Sequence, residues 1–231
     1  MTLCESSDRI PIELVDTAEL PRGGQLQLLK CGGDYSIEFG REELMGSRDH
    51  QSEQALATLT RARLEPEAGS VLIGGLGMGF TLRAALDAWG AGASIVVAEL
   101  VPQMLAWAEG PLAHLFGSSL SDPRASIVLA DVHDVIDGAS EEFDAILLDV
   151  DNGPDGFVQP ENERLYCNWG LRSAYAALRP GGVLAVWSAY LDVPFGDRLS
   201  SAGFTVDEVS LPAFVGSTDR RHNIWFAAKP R

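Results

Sequence analysis

Residues 70–80, SVLIGGLGMGF, pass from a β-branched apolar run through a glycine turn into a helical pattern, GFTLRAALDAWG. A short run that is apolar at every position is a strand buried on both faces, and it predicts a parallel sheet covered by helices. Glycines between such a strand and its helix let the backbone approach a ligand closely and leave the helix N–H groups facing it. The same alternation repeats downstream. SIVVAEL (94–100), ASIVLAD (125–131), FDAILLD (143–149) and VLAVWSA (183–189) read as further strands. The helical spacings VPQMLAWAEGPLAHLF and NERLYCNWGLRSAYAALRPGG lie between them, the second closed by Pro180 and Gly181.

The C-terminal end differs. GFTVDEVSLP and HNIWFAAKP are two strand-like runs with no helix between them, so a final antiparallel pair is expected. Five βα units closed in this way predict an α/β, Rossmann-like class I methyltransferase fold, with a mostly parallel seven-stranded sheet and an antiparallel last strand. Residues 66–231 would form that domain. Residues 1–65 have another texture, with short strands joined by glycine turns and a helix over HQSEQALATLTRARL; they are expected to be a small β-rich appendage, too short to bury much core alone.

Composition narrows the function. Seventeen basic and 33 acidic residues give a net charge of −16. That field repels phosphate backbones, so nucleic acid is not expected as a partner, and a cationic or neutral small molecule is. No apolar stretch approaches the roughly 18 residues that span a bilayer, and MTLCESSDRIP has neither a basic nor an apolar leader region. Cys4, Cys31 and Cys167 are odd in number and lack zinc-ligand spacing, as in a reducing compartment. A cytoplasmic protein without a metal site is the expectation. His50, His133 and His222 have no partner at triad or metal spacing and are expected to be ordinary surface residues.

The glycine turn is G-x-G-x-G (Gly75, Gly77, Gly79), preceded by Gly74. The dinucleotide fingerprint G-x-G-x-x-G would need glycine where Phe80 stands, so the turn suits a cofactor with no pyrophosphate. Glu99 ends the second strand about 20 residues on, where an acid binds ribose hydroxyls. Asp131 and Val132 follow the third strand, placed for an adenine amine and ring. Each acid alone is equally an ordinary helix cap. Together, at the carboxyl ends of successive strands, they mark a nucleoside pocket. The fourth strand stops at Asp149, followed by Asp151 and Asn152; residues two apart on a strand point the same way, so both acids face one site. Asp151 and Asn152 equally suit a turn.

These stretches resemble the spermidine synthase-like branch of the class I S-adenosylmethionine-dependent transferases. The resemblance runs over roughly Ser70 to Ser188. It is carried by VLIGGLGMGFTLRAAL, AEL, LFGSSLSDPRASIVLADVHDVI, EEFDAILLDVDNGPDG and LRPGGVLAVWS, with DPR (122–124) the most family-specific element. It implies an adenosine-sulfonium cofactor and a homodimer built with the N-terminal strands. Aminopropyltransferases of that branch carry G-G-G-D-G-G, whose acid holds the cofactor's free amine; here Leu76 and Gly77 replace a glycine and that acid. They carry D-S-[ST]-D-P after the fourth strand; here Asp149 is kept and the next acid is displaced to Asp151. A tyrosine that meets the diamine would fall in RDHQSEQALATL (48–59), which has none.

On these departures, methyl transfer from S-adenosylmethionine to a small amine- or hydroxyl-bearing acceptor is favoured. Asp149 and Asp151 would take a proton and hold developing positive charge, and Asn152 would order the turn or donate to the acceptor. Aminopropyl transfer from decarboxylated S-adenosylmethionine is the alternative, and a non-catalytic nucleoside-binding subunit a second. Tyr166 and Trp187 are candidate walls of the acceptor pocket, with cation–π capacity, as is Trp169; such aromatics are equally core residues. The stretch 152–168, rich in Gly and Pro, is the expected gate.

Overall fold

The structure, a computed structural model, describes residues 11–21, 23–67, 69–150, 153–154, 162–214 and 216–231. Four strands come first: β1 (Ile12–Glu19), β2 (Gln25–Cys31), β3 (Asp34–Phe39) and β4 (Glu42–Gly46), each antiparallel to the next. Helix α1 (Gln51–Arg61) leads into alternating elements: β5 (Ser70–Gly74), α2 (Phe80–Ala88), β6 (Ser94–Glu99), α3 (Pro102–Glu109), α4 (Ala113–Phe116), β7 (Ala125–Leu129), α5 (Val132–Asp137) and β8 (Phe143–Leu148). Then come α6 (Glu163–Tyr166), α7 (Asn168–Ala177), β9 (Leu178–Ser188), α8 (Val193–Ser201), β10 (Thr205–Pro212) and β11 (Arg221–Ala228). The main sheet has seven strands in the order β10-β11-β9-β8-β5-β6-β7. Strands β9, β8, β5, β6 and β7 are parallel, and β11 runs against both its neighbours. This is the expected architecture, including the closing antiparallel pair.

Two boundaries differ from the sequence reading. The pattern over 101–116 is broken at Gly110 into α3 and α4. The helix expected to end at Pro180-Gly181 stops at Ala177, and both residues belong to β9. There the pairing with β8 slips, Phe143 facing Leu178 and Ala145 facing Val183. A bulge takes up the extra residues, so the proline does not interrupt a regular ladder.

The pleat decides which side chains reach the site. Val71 and Ile73 of β5, Ala145 and Leu147 of β8, and Val183, Ala185 and Trp187 of β9 point to one face. Leu72, Ile146, Leu148, Leu184 and Val186 point to the other, beneath α5, α7 and α8. The first face is covered by α1 and α2 and, beyond them, by the N-terminal sheet: Leu26, Leu28, Tyr35 and Ile37 share its apolar cluster. Asp16 of β1 adds a polar tie, accepting from Trp107 Nε1 at 2.8 Å and Gln103 Nε2 at 2.6 Å, both on α3. These bonds, that from Trp107 foremost, hold the Asp16 carboxyl below its ordinary range. Among the described residues, no helix is long and apolar enough to cross a membrane.

Candidate active site

Strand β5 delivers its chain to a crevice at the carboxyl ends of the parallel strands, the usual ligand position in an open α/β sheet. Gly75 turns there with φ of 90°, and a Cβ on it would lie 2.6 Å from the backbone oxygen of Asp149. Only glycine lets the ends of β5 and β8 close on each other in this way. The crevice has two chambers. The first is floored by Gly75 and Gly77 and flanked by Glu99, Asp131, Val132 and Asp149. The second, the roomier, is bounded by β4, the turn after it and the start of β11. Leu44, Met45, Glu53 and Trp187 line both and form the wall between them.

Each acid of the first chamber is held. Glu99 is buried and accepts from the Leu76 amide (2.9 Å) and the Val101 amide (2.7 Å), so it pins the glycine turn to β6. Burial pushes its carboxyl up against the opposing pull of these bonds. Asp131 caps α5, accepting from the His133 amide at 2.9 Å, and pairs with Arg164. Thr81, in the first turn of α2, donates to Asp149 Oδ2 at 2.7 Å. Desolvation raises Asp149 to about 6 despite that bond, and raises Glu53 to about 7, with Asp149's charge adding to the second shift. Two carboxyl groups therefore share charge at the wall and titrate as a pair.

Other residues singled out in the sequence lie elsewhere. Gly74 does not line the chamber; a Cβ there would lie 3.0 Å from Val132, so its role is the packing of β5 against α5. Gly79 caps α2 beneath Phe116, whose ring leaves no room for a Cβ. Tyr166 is no chamber wall. It is buried on the opposite face of the sheet, edge-on to Phe195, because α6 packs on that side. Trp169 is half exposed. Asp151, Asn152 and residues 155–161 of the expected gate lie outside the described residues; Asn162 lines the first chamber. The DPR motif is a brace remote from the crevice, with Arg124 paired to Asp122 at 2.9 Å and donating to the Trp89 carbonyl.

Glu53, Ser52 and His222 were not legible as site residues. Ser52 and Glu53 are adjacent on α1, and His222 lies 170 positions away on β11. The histidines expected at the surface are not there: His222 is half-buried against Trp187, His50 stacks on Phe80, and His133 is buried. The stacking of α1 against β9 and β11 brings Ser52, Glu53 and His222 together, a tertiary fact with no local pattern. Among the described residues no cluster of His, Cys, Asp and Glu could hold a metal ion.

Comparison with solved structures places this geometry. The spermidine synthase from Thermotoga maritima superposes with a TM-score of 0.73 at 18% identity, over 94% of this chain and 72% of its own. A spermidine synthase in complex with the transition-state analogue AdoDATO gives 0.77 at 20% identity, over 94% and 73%. The fold is that of the spermidine synthases. At these identities the likeness is one of fold. No family model and no curated protein matches the sequence. The spermidine synthase fold here includes the N-terminal sheet, since the superpositions span nearly the whole chain.

Proposed function

We propose that this chain is a spermidine synthase-type transferase that moves an aminopropyl group from decarboxylated S-adenosylmethionine to a small amine. This reverses the preference for methyl transfer drawn from the sequence. One observation carries it. The charged residues lining the first chamber are Glu53, Glu99, Asp131 and Asp149, with no Lys, Arg or His among the described residues there. Both donors carry an ammonium, but S-adenosylmethionine adds a carboxylate that would meet these acids. Of them only Asp131 has a cationic partner among the described residues, Arg164; the decarboxylated donor brings no such anion. The acid missing at Gly77 is replaced from another element, because Glu53 reaches the wall from α1. The names of the structural neighbours support the same direction.

The first chamber fits an adenosine. Its lining is otherwise apolar, and Glu99 and Asp131 lie at the carboxyl ends of successive strands, where ribose and base would be held. The donor supplies a carbon already activated by positive sulfur, so the protein contributes mainly alignment. In the second chamber Glu38, Glu42, Glu43, Asp49 and Glu53 outnumber Arg41, Arg48 and Arg220, and Arg48 is paired with Asp34 at 2.7 Å. That excess of acid suits a cationic amine. At the wall the acceptor nitrogen must lose a proton before it attacks, and a carboxylate whose pKa has risen toward neutrality is a better acceptor than an ordinary one. The nitrogen then bonds to the propyl carbon as the carbon–sulfur bond breaks, leaving its electron pair on sulfur.

Calorimetry with each donor, followed by product analysis with putrescine and other short amines, tests the reading. Tighter binding of the decarboxylated donor and release of methylthioadenosine are expected. Equal or tighter binding of S-adenosylmethionine, with methylated amine as product, would return methyl transfer to first place.

A further inference from the structure

We infer that Glu53, Ser52 and His222 form a proton relay that carries the acceptor's proton from the wall between the chambers into the second chamber. The chain of contacts is continuous. Ser52 Oγ lies 2.7 Å from Glu53 Oε2 and 2.8 Å from His222 Nδ1, and Ser52 is buried among them. A hydroxyl holds one hydrogen, so the two contacts cannot both be donations from serine. When Glu53 is ionised, serine donates to it and His222 donates Nδ1–H to serine. When Glu53 is protonated, the carboxyl donates to serine and serine donates to the Nδ1 lone pair. In passing from the second arrangement to the first, Glu53 gives up its hydrogen, and Ser52 gains one and passes one on. His222 gains one at Nδ1 and releases one from Nε2 to solvent, so a proton crosses the chain; Glu53 is then an acceptor again.

The ends of the chain lie where such a path needs them. Glu53 lines both chambers, and His222 lines the second. Trp187 meets the imidazole edge-on, with ring centroids 4.8 Å apart, and fixes its plane. Charged groups facing the chain are Asp149 and Asp49 at the Glu53 end and Arg220 at the His222 end. Burial, and then Arg220, push His222 down to about 4, so a proton reaching the imidazole passes on to water and is not stored. Serine here is not arranged as a nucleophile, since among the described residues no acid partners its histidine and the acid sits on the serine instead.

The inference rests on the functional reading in one respect, the acceptor amine as the source of the proton, and two measurements separate them. Nitrogen chemical shifts of His222, followed against pH, report its tautomer without any substrate. In the native protein they should show an inflection that belongs to Glu53; Ser52→Ala should abolish that inflection, and Ser52→Thr, which keeps the hydroxyl, should retain it. In turnover with the decarboxylated donor and an amine, Ser52→Ala should lower kcat on the order of 10-fold with the donor's KM unchanged. It should also straighten a rate dependence on deuterium content that is curved in the native enzyme, and Ser52→Thr should restore both. A His222 titration identical in native protein and Ser52→Ala would overturn the relay. So would coupling in the spectra combined with unchanged kcat and isotope dependence. If the native protein transfers no aminopropyl group, the functional reading fails, and the relay is decided by the spectra alone.

Discussion

Asp149 and Glu53 meet at the wall from different directions, one at the end of β8 and one on α1. Asp149→Asn keeps the size and the Thr81 contact but removes the charge. The expected outcome is a kcat lower by about 10²–10⁴-fold, with thermal unfolding unchanged or shifted upward, measured by methylthioadenosine release and calorimetry. Glu53 gives a prediction in pH. Its folded pKa lies above the ordinary 4.5, near 7, so between these values the folded chain binds the proton that the unfolded chain has lost. Stability from this group is therefore complete below about pH 4.5 and declines as pH rises toward 7. Glu53→Gln should remove that decline and stabilise the substrate-free protein at pH 8 by about 2 kcal/mol, or ~4–8 °C in melting temperature, after allowing for coupling to Asp149. Asp149 was readable from sequence because an apolar strand that stops at an acid marks the carboxyl edge of a sheet. Glu53 was not, because QSEQALATL reads as an ordinary amphipathic helix until its packing partners are known.

Elements position these groups more than they carry chemistry. The turn between β5 and α2 is held by the Glu99–Leu76 bond on one side and the Asp149 backbone on the other. Gly75→Ala places a methyl group against that carbonyl, at a φ that favours glycine, and should cost about 1–3 kcal/mol and most of the nucleoside affinity, readable by thermal shift with methylthioadenosine. The turn's glycines were legible in the sequence as a set, but their roles were not. The pattern G-G-x-G-x-G does not distinguish Gly77, which lines the chamber, from Gly74 and Gly79, which make room for Val132 and Phe116. The mostly parallel sheet was legible for a different reason: strands apolar on both faces and separated by helical patterns require cover on both sides. Tyr166 was misplaced because α6 packs beneath the sheet, opposite Trp187, a choice set by the pleat of β8 and β9 and not by any pattern around the tyrosine itself.

At the scale of the molecule, the N-terminal sheet and the parallel sheet share one apolar cluster. Leu28 has no exposed surface. Leu28→Ala should therefore cost about 2–5 kcal/mol and lower the melting of the whole protein in a single calorimetric transition; an early, separate step would mean that the two sheets unfold independently. Donor binding should act on the same transition, adding about 2.7 kcal/mol at a hundredfold excess over its dissociation constant. The wall of Leu44, Met45, Glu53 and Trp187 has a kinetic consequence. If donor and amine take one chamber each, as the proposed function requires, neither has to depart before the other arrives, and no covalent enzyme adduct is needed in between. Initial-rate plots against one reactant at several fixed levels of the other should give intersecting lines, not parallel ones, and the thioether nucleoside should compete with the donor while leaving the amine's vestibule free.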